Sequence, residues 1–312
     1  MLPIVIVNPK SAGGSTRSNW YGIAADLRAH FGPFRSAFTK YPGHGIELAE
    51  KYARSNVPLI IACGGDGTIN EVLNGIMLAG TQTALGIMPS GTGGDFRRTI
   101  TMPAEPREAS RALSNGRVRK IDVGRISYSD SSGKPKTRYF INVSSFGLAA
   151  GVIQRVKSDP LLEWFPFDKI RGRMSYALST LLETTDLAAN KVRVRIDGSA
   201  ASVLSTVNFC IANARYFGGG MKIAPNARIS DGLLDIVNIG DITALRILLN
   251  AYTLYSGSHL SLPEVKSRRA KEVFAEPIDN RIRFEADGEI VGNLPAKFEI
   301  LPKAVNLIVP KK

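Results

Sequence analysis

Residues 60–71 read Ile60-Ile61-Ala62-Cys63-Gly64-Gly65-Asp66-Gly67-Thr68-Ile69-Asn70-Glu71, and this stretch decides the fold class of the chain. Its apolar first third predicts a strand, the glycines that follow predict a tight turn, and a helical pattern begins at Thr68. Glycine permits positive φ and close backbone approach, and free N–H groups at the start of a helix attract anions. The stretch therefore predicts a phosphate-binding turn, with a purely structural turn as the alternative.

Strand-like and helical segments alternate on both sides of this turn. Strands are predicted at Ile4–Val7, Arg35–Thr39, Leu59–Cys63 and Ala84–Met88, and helices at Ser18–His30, Ile46–Arg54, Thr68–Leu78 and Pro106–Leu113. This order predicts a doubly wound α/β domain with a parallel sheet and helices on both faces. Glycine turns also follow the first and the last of these strands, at Asn8–Gly14 and Pro89–Phe96. Because such loops open at one edge of the sheet, we expect all three to face one ligand.

The pattern changes from Arg117 onward to short alternating strands. These are predicted at Val192–Ile196, Ser205–Ile211, Leu234–Ile239, Arg281–Glu285 and Lys297–Leu301, with helices at Arg173–Leu182 and Thr243–Tyr252. Such a series predicts an antiparallel sandwich or a barrel-like second domain. We therefore divide the chain into an α/β domain over 1–122 and a β-rich domain over 123–302. The tail, 303–312, can pack back on the first domain.

Composition and charge narrow the class of protein. No apolar run is long enough to span a membrane, and the apolar start, Leu2–Val7, is shorter than a signal peptide requires, so we expect a cytoplasmic protein. Cys63 and Cys210 lie in apolar surroundings without a CxxC partner, which predicts buried free thiols. The net charge of +13 suits a nucleic acid, an anionic membrane or a polyanion such as ATP, and charge alone does not choose among them.

Beyond the three glycine turns, several later motifs make the chain resemble the diacylglycerol kinase catalytic-domain family. That family includes bacterial lipid kinases and, more distantly, sphingosine and ceramide kinases. The motifs are NPKSAGG (8–14), GGDGTINEVLNG (64–75), PSGTGGDF (89–96), the segment 142–151, YFGGGMKIAP (216–225), SDGLLD (230–235) and ADGE (286–289). Together they cover essentially the whole chain. GGDGT also occurs in NAD kinases and phosphofructokinase-like folds, and the later motifs separate this chain from those.

The resemblance implies an ATP-dependent lipid kinase that phosphorylates a lipid hydroxyl, as in diacylglycerol, ceramide or a sphingoid base. It implies an ATP site lined by Asn8, Pro9, Lys10, Ser11, Ala12, Thr39, Gly64, Gly65, Asp66, Gly67, Thr68, Ile69, Asn70 and Thr92. It also implies that Asp287 is the general base, although Asp287-Gly288-Glu289 alone predicts only a tight turn.

Magnesium is the second cofactor that the resemblance implies. In the family, carboxylates matching Asp95 and Asp122 organise a Mg²⁺ ion beside the nucleotide. A separate structural Mg²⁺ would be held by Asp231 with the main-chain carbonyls of Arg228 and Leu233. Hard oxygen ligands of this kind are what Mg²⁺ prefers. Read alone, Asp122 would be an ordinary carboxylate at a strand end and Asp231-Gly232 a surface turn.

The sequence departs from the family pattern at two positions. Gly94 stands where the family usually has Asn, beside the nucleotide loop, and Ala149 stands where many relatives have Asp, on the acceptor side.

A membrane lipid is the expected substrate, so peripheral contact with an anionic membrane is expected as well. The aromatic segment Leu161–Phe167, followed by Lys169, Arg171 and Arg173, predicts either an interfacial segment or core packing. We expect no nucleic-acid partner, and the sequence allows an oligomer. The sequence leaves two other functions open: phosphorylation of a soluble acceptor, as in NAD kinases, and a non-catalytic basic module that docks on a membrane or nucleic acid.

Overall fold

The computed structural model describes residues 1–91, 93–158 and 189–311. They form two units, the first made of Met1–Asp122 with Lys303–Lys312 and the second of Val123–Pro302. Two predictions fall outside the described residues: the role of Thr92, and the interfacial segment 161–173 with the helix that follows it.

The first unit contains a parallel sheet with helices on its two faces. Its strands are β1 (Ile4–Val7), β2 (Arg35–Phe38), β3 (Leu59–Gly64) and β4 (Ala84–Pro89), and its helices are α1 (Ser15–Phe31), α2 (His44–Arg54), α3 (Asp66–Ala79), α4 (Asp95–Thr99) and α5 (Pro106–Ser114). The strand order is β2-β1-β3-β4, and all neighbouring pairs are parallel. Right-handed crossovers in this order place α1 on one face and α2 and α3 on the other. The doubly wound α/β prediction is confirmed.

Close helix packing positions the turn that leads into α3. A Cβ added to Gly75 of α3 would lie 2.4 Å from the carbonyl oxygen of Ile46 and 2.6 Å from the Cβ of Ala49, both in α2. One turn earlier in α3, the Glu71 carboxylate accepts hydrogen bonds from the backbone N–H groups of Gly43 (2.8 Å) and Gly45 (2.9 Å). Glu71 thereby satisfies N–H groups at the start of α2 that have no partner within α2.

The second unit is built from antiparallel strands. These are β6 (Pro135–Phe140), β7 (Val143–Gly147), β8 (Asn190–Ile196), β9 (Ser202–Thr206), β10 (Asn208–Ala212), β11 (Leu234–Ile239), β12 (Val265–Ala270), β13 (Glu272–Pro277), β14 (Arg283–Ala286) and β15 (Glu289–Asn293). Among the described residues of this unit, the α-helices are α6 (Leu148–Ser158), α7 (Ala244–Asn250) and α8 (Thr253–Ser256). Two longer strands, β5 (Arg117–Ser129) and β16 (Ala296–Val309), begin in one unit and end in the other.

The strands of the second unit form two layers around one apolar core. One layer has the order β12-β11-β10-β7-β14-β15, and the other contains the β5–β6 hairpin and the antiparallel pairs of β13 with β16, β13 with β8, and β8 with β9. Buried side chains from both layers meet in a single cluster that includes Phe146, Phe209, Phe284 and Phe298. Phe146 and Phe209 stack with ring centroids 4.9 Å apart. The predicted antiparallel sandwich is confirmed.

One strand prediction is wrong, because Ser205–Ile211 is not a single strand. The chain leaves β9 at Thr206 and enters β10 of the other layer at Asn208. Between them, Val207 donates its N–H to the carbonyl of Ile239 and accepts from the N–H of Leu148, both at 2.9 Å. The stretch Thr206-Val207-Asn208 contains no glycine or proline to mark this change of layer, so the turn signals in the sequence could not locate it.

The described helices are short or polar relative to a bilayer. None of them, over 1–91, 93–158 and 189–311, is long and apolar enough to cross a membrane.

Candidate functional site

The three glycine loops of the first unit are tied together by hydrogen bonds. Asn8, after β1, donates from Nδ2 to the Thr68 hydroxyl after β3 (3.1 Å). Thr16, at the start of α1, donates from Oγ1 to the Ser90 carbonyl after β4 (3.1 Å) and pairs with the Ser11 hydroxyl (2.6 Å). The loops that follow β1, β3 and β4 therefore form one connected surface at the carboxyl edge of the sheet, as predicted for parallel strands.

Asp66 joins the loop after β3 to the loop after β4. Its carboxylate accepts from the backbone N–H groups of Asp95 (3.1 Å) and Phe96 (3.2 Å), at the start of α4. Because the carboxylate binds protein amides, its position sets the course of the loop beside any bound ligand.

Glycine keeps side chains away from this surface. A Cβ added to Gly91 would lie 2.5 Å from the Cα of Gly65, closer than real Cβ contacts come. In the first loop, Ala12 (φ 52°), Gly13 (φ 65°) and Gly14 (φ 92°) are consecutive left-handed residues. The Gly14 N–H donates to the Lys10 carbonyl (3.2 Å), and tight turns of this kind can present neighbouring amides to an anion.

Two of the helices that start at these loops, α1 and α3, have no capping bond from their N-cap side chains, whereas a side chain serves the start of α2, α4 and α5. The N-cap residues of α1 and α3, Gly14 and Gly65, make no side-chain capping bond. By contrast, Glu71 serves the start of α2, and Glu105 accepts from the N–H of Glu108 in α5. Uncapped N–H groups and the positive ends of two helix dipoles favour a polyanion at the glycine loops.

The other predicted nucleotide residues occupy less uniform positions. Lys10 is exposed in the first loop, and Thr39, directly after β2, donates its N–H to the Val7 carbonyl (2.9 Å). Ile69 and Asn70 are buried, and Asn70 accepts at Oδ1 from Asn74 within α3 (3.1 Å). Those two residues therefore support α3 from inside, whereas the residues before them line the loops.

The predicted metal ligands do not form an all-protein site. Asp95 pairs with Arg98 (3.0 Å), and the buried Asp122 accepts from the backbone N–H of Lys303 (2.8 Å). Asp231 accepts at Oδ1 from the backbone N–H of Leu233 (3.2 Å). Within the part of the chain that the structure describes, no three His, Cys, Asp or Glu side chains come together as metal ligands. The Asp95 carboxylate is a hard oxygen ligand of the kind that Mg²⁺ takes together with phosphates and water.

In the second unit, Asp287 occupies the turn between β14 and β15 with a positive φ of 50°. Its carboxylate accepts from the backbone N–H groups of Ile141 (2.9 Å), Asn142 (2.9 Å) and Val143 (3.1 Å). Its own N–H donates to the carbonyl of Val143 (2.9 Å). The turn between β6 and β7 thus fixes the direction of this carboxylate.

Glu285 supports the same turn, although it was not among the predicted site residues. It is buried, accepts at Oε2 from the Gly288 N–H (2.9 Å) and at Oε1 from the Ser145 hydroxyl. Burial raises the pKa of Glu285 to about 8, the hydrogen bonds from Ser145 and Gly288 oppose the shift, and the charges of Asp287 and Glu289 add to it. No signal in the sequence marked it, because Glu285 falls on the polar positions of the alternating stretch, in phase with Arg281 and Arg283.

Comparison with known proteins gives matches over both units. Residues 3–126 match the family model described as the diacylglycerol kinase catalytic domain, and residues 144–309 match the YegS C-terminal NAD kinase beta sandwich-like domain. A protein of Mycobacterium tuberculosis named diacylglycerol kinase is 32% identical over 309 residues, which are 98% of this chain and 94% of the relative.

Solved structures give the same picture. A crystal structure of a candidate diacylglycerol kinase from Bacillus anthracis str. Sterne is 25% identical, has a TM-score of 0.78 and covers 99% of this chain and 97% of that chain. Yeast NADH kinase, crystallised with NADH, matches at 10% identity and a TM-score of 0.50, over 100% of this chain and 84% of that chain. The second likeness concerns the fold alone.

Proposed function

The chain belongs to the diacylglycerol kinase catalytic-domain family, and on that basis we propose that it transfers the γ-phosphate of ATP to the hydroxyl of a membrane lipid. One observation carries the proposal: three hydrogen-bonded glycine loops share a sheet edge with two helix starts that have no side-chain cap. A triphosphate would receive the N–H groups of these loops, and Lys10 would add positive charge beside them.

The reaction needs a base and a neutralised phosphoryl group. The lipid hydroxyl oxygen bonds to the γ-phosphorus, the bond to the β–γ bridging oxygen breaks, and ADP leaves with that electron pair. Asp287 takes the hydroxyl proton, since a positioned carboxylate can act as general base in such a transfer. The three backbone N–H groups that hold Asp287 would keep it oriented during this step. Mg²⁺, when bound by Asp95 and Asp122 with the phosphates, would supply neutralising charge.

The acceptor we propose is diacylglycerol or a related lipid such as ceramide or a sphingoid base. Membership of the family supports a lipid acceptor, and the net charge of +13 supports peripheral contact with an anionic membrane. The structural Mg²⁺ at Asp231, with the carbonyls of Arg228 and Leu233, belongs to the same proposal.

The chain offers a matched control for the catalytic carboxylate. Asp197 also has a φ of 50°, precedes a glycine with positive φ in a hairpin turn, and accepts backbone N–H groups, those of Lys271 (2.7 Å) and Glu272 (3.0 Å). Its N–H donates to the Glu272 carbonyl (3.1 Å), as that of Asp287 does to Val143. The two aspartates therefore share a structural role, and only Asp287 is proposed to act on substrate.

We expect Asp287→Asn to lower phosphoryl transfer roughly a thousandfold and Asp197→Asn to leave it within about twofold. Radiolabelled ATP is incubated with diacylglycerol, ceramide, sphingoid base and NAD, and melting curves confirm that both variants fold. Transfer to NAD with none to any lipid would contradict the proposal. So would equal losses in the two variants, or an ATP-bound crystal structure with Asp287 far from the γ-phosphate.

A further inference from the structure

Large apolar side chains concentrate on one short stretch of the second unit. Over α7 and α8, the exposed fractions are 66% for Leu245, 45% for Leu248, 64% for Leu249, 70% for Tyr252 and 53% for Tyr255. Single exposed apolar residues are normal on protein surfaces, whereas a contiguous group of large ones marks an interaction site. We call these five residues the apolar face.

The five side chains point to one side because the backbone stays helical between the two helices. Ala251 (φ −56°, ψ −33°) and Tyr252 (φ −62°, ψ −27°) keep right-handed helical angles. Spacings of three, four, seven and ten residues from Leu245 then fall on one side of the helix. On the other side, Thr253 is buried and Leu254 packs against the apolar cluster that contains Val237. The protein holds one side of the segment, and the apolar face looks outward.

The charges around the apolar face suit an anionic bilayer. The sequence has no Asp or Glu from Ile242 to Pro263, and Arg246 is paired with Glu264 (2.7 Å). The net charge of +13 attracts anionic lipid and repels a second copy of the chain. Leucine suits the acyl region and tyrosine suits the headgroup boundary.

We infer that the apolar face on α7 and α8 is the surface through which the protein docks on an anionic lipid bilayer. The inference rests on the proposed function, because an acceptor dissolved in a bilayer has to be reached from the bilayer surface. A surface helix with large apolar side chains on its outer side can lie in the plane of a bilayer interface.

The test measures binding to vesicles directly. Co-sedimentation uses phosphatidylcholine vesicles with and without phosphatidylglycerol, and it compares the wild type with the double variant Leu249→Ser, Tyr252→Ser. The matched control is Val203→Ser, Tyr21→Ser, which changes residues that are 60% and 86% exposed outside the apolar face. We expect the face variant to bind anionic vesicles on the order of a hundredfold more weakly and the control to change about twofold at most. The thermal shift caused by ATP should be the same in all three proteins.

Three results would overturn the docking surface. The first is equal vesicle binding by both double variants, and the second is a wild type that phosphorylates a dispersed short-chain lipid but binds no vesicles. The third is a wild type that forms a dimer without lipid, when the substitutions in the apolar face, and not those in the control, break that dimer. The last result would make the apolar face an interface between copies. Vesicle binding that depends on the face, in a protein that phosphorylates no lipid, would instead support the surface and contradict the proposed function.

Discussion

At the scale of single residues, Glu285 shows how a buried carboxyl group makes stability depend on pH. Burial raises its pKa from 4.5 to about 8, so the folded protein holds this proton more tightly than the unfolded chain does. The groups around it are the Ser145 hydroxyl, the Gly288 N–H, the Cys210 thiol and the carboxylates of Asp287 and Glu289. None of these is a cation that could compensate an ionised Glu285.

We therefore predict a pH-dependent effect of Glu285→Gln. The stability that comes from holding the proton is fully present below about pH 4.5 and is lost as the pH rises to about 8. Glutamine keeps the shape and does not ionise, so the free energy of unfolding of the variant should rise relative to that of the wild type over that range, by up to a few kcal/mol. Melting curves at several pH values test this. A difference that stays constant with pH would mean that Glu285 does not titrate in this window.

Residue roles were predictable from sequence only where a local pattern carries them. The glycine turns follow from a strand-turn-helix pattern, the role of Asp66 was assigned through the resemblance, and the structure brings their loops together. Asp287 was assigned through the resemblance, and its three amide partners come from a turn more than 140 residues earlier in the chain. Glu285 could not be found, because its burial depends on how β7 and β14 pair.

At the scale of elements, the contact between α2 and α3 depends on a missing side chain. In a helix interior, alanine is more favourable than glycine by about 1 kcal/mol. At Gly75 that gain is opposed, because a new Cβ would meet the backbone of α2 at 2.4 Å. At Gly22, in α1, nothing lies within 4 Å of a new Cβ. The same substitution should thus have opposite effects in two helices.

We predict that Gly75→Ala lowers the free energy of unfolding by roughly 1–2 kcal/mol, since overpacking outweighs helix propensity. Gly22→Ala should raise it by about 0.5–1 kcal/mol. Urea unfolding of both variants gives the two values directly. Stabilisation by Gly75→Ala would show that α2 and α3 can move apart without cost.

Elements of the first unit were more predictable than those of the second for a physical reason. Strands β1 and β3 are buried on both faces and read as continuous apolar runs between turn residues. In the second unit, the chain passes from a strand of one layer to a strand of the other without a glycine or proline between them, as at Val207. The short helix α4 was missed because its start is held by the distant Asp66.

At the scale of the whole molecule, the chain completes its first unit with its last residues. Leu307 in β16 pairs in parallel with Leu85 in β4, and Val305 and Val309 are also buried. At the boundary, the Asp122 carboxylate accepts from the backbone N–H of Lys303. The sheet that carries the glycine loops therefore depends on a strand that is distant in sequence.

Deletion of residues 303–312 should abolish the thermal shift caused by ATP, although every predicted nucleotide residue lies between Asn8 and Thr92. Without residues 303–309 of β16, β4 loses its neighbour on one side, and the buried apolar contacts of Val305, Leu307 and Val309 are lost. Deletion of residues 311–312 is the control and should leave ATP binding unchanged. Intact ATP binding in the longer deletion would show that the amino-terminal segment is complete by itself.

The late pairing of β16 with β4 also has a consequence for synthesis on the ribosome. Residues 303–309 emerge only after the entire second unit, so the nascent chain carries an open edge at β4 throughout that interval. Open strand edges recruit other strands, and incomplete domains of this kind aggregate or require chaperones. Fragments that stop before residue 303 should accordingly be recovered from expression mainly as inclusion bodies.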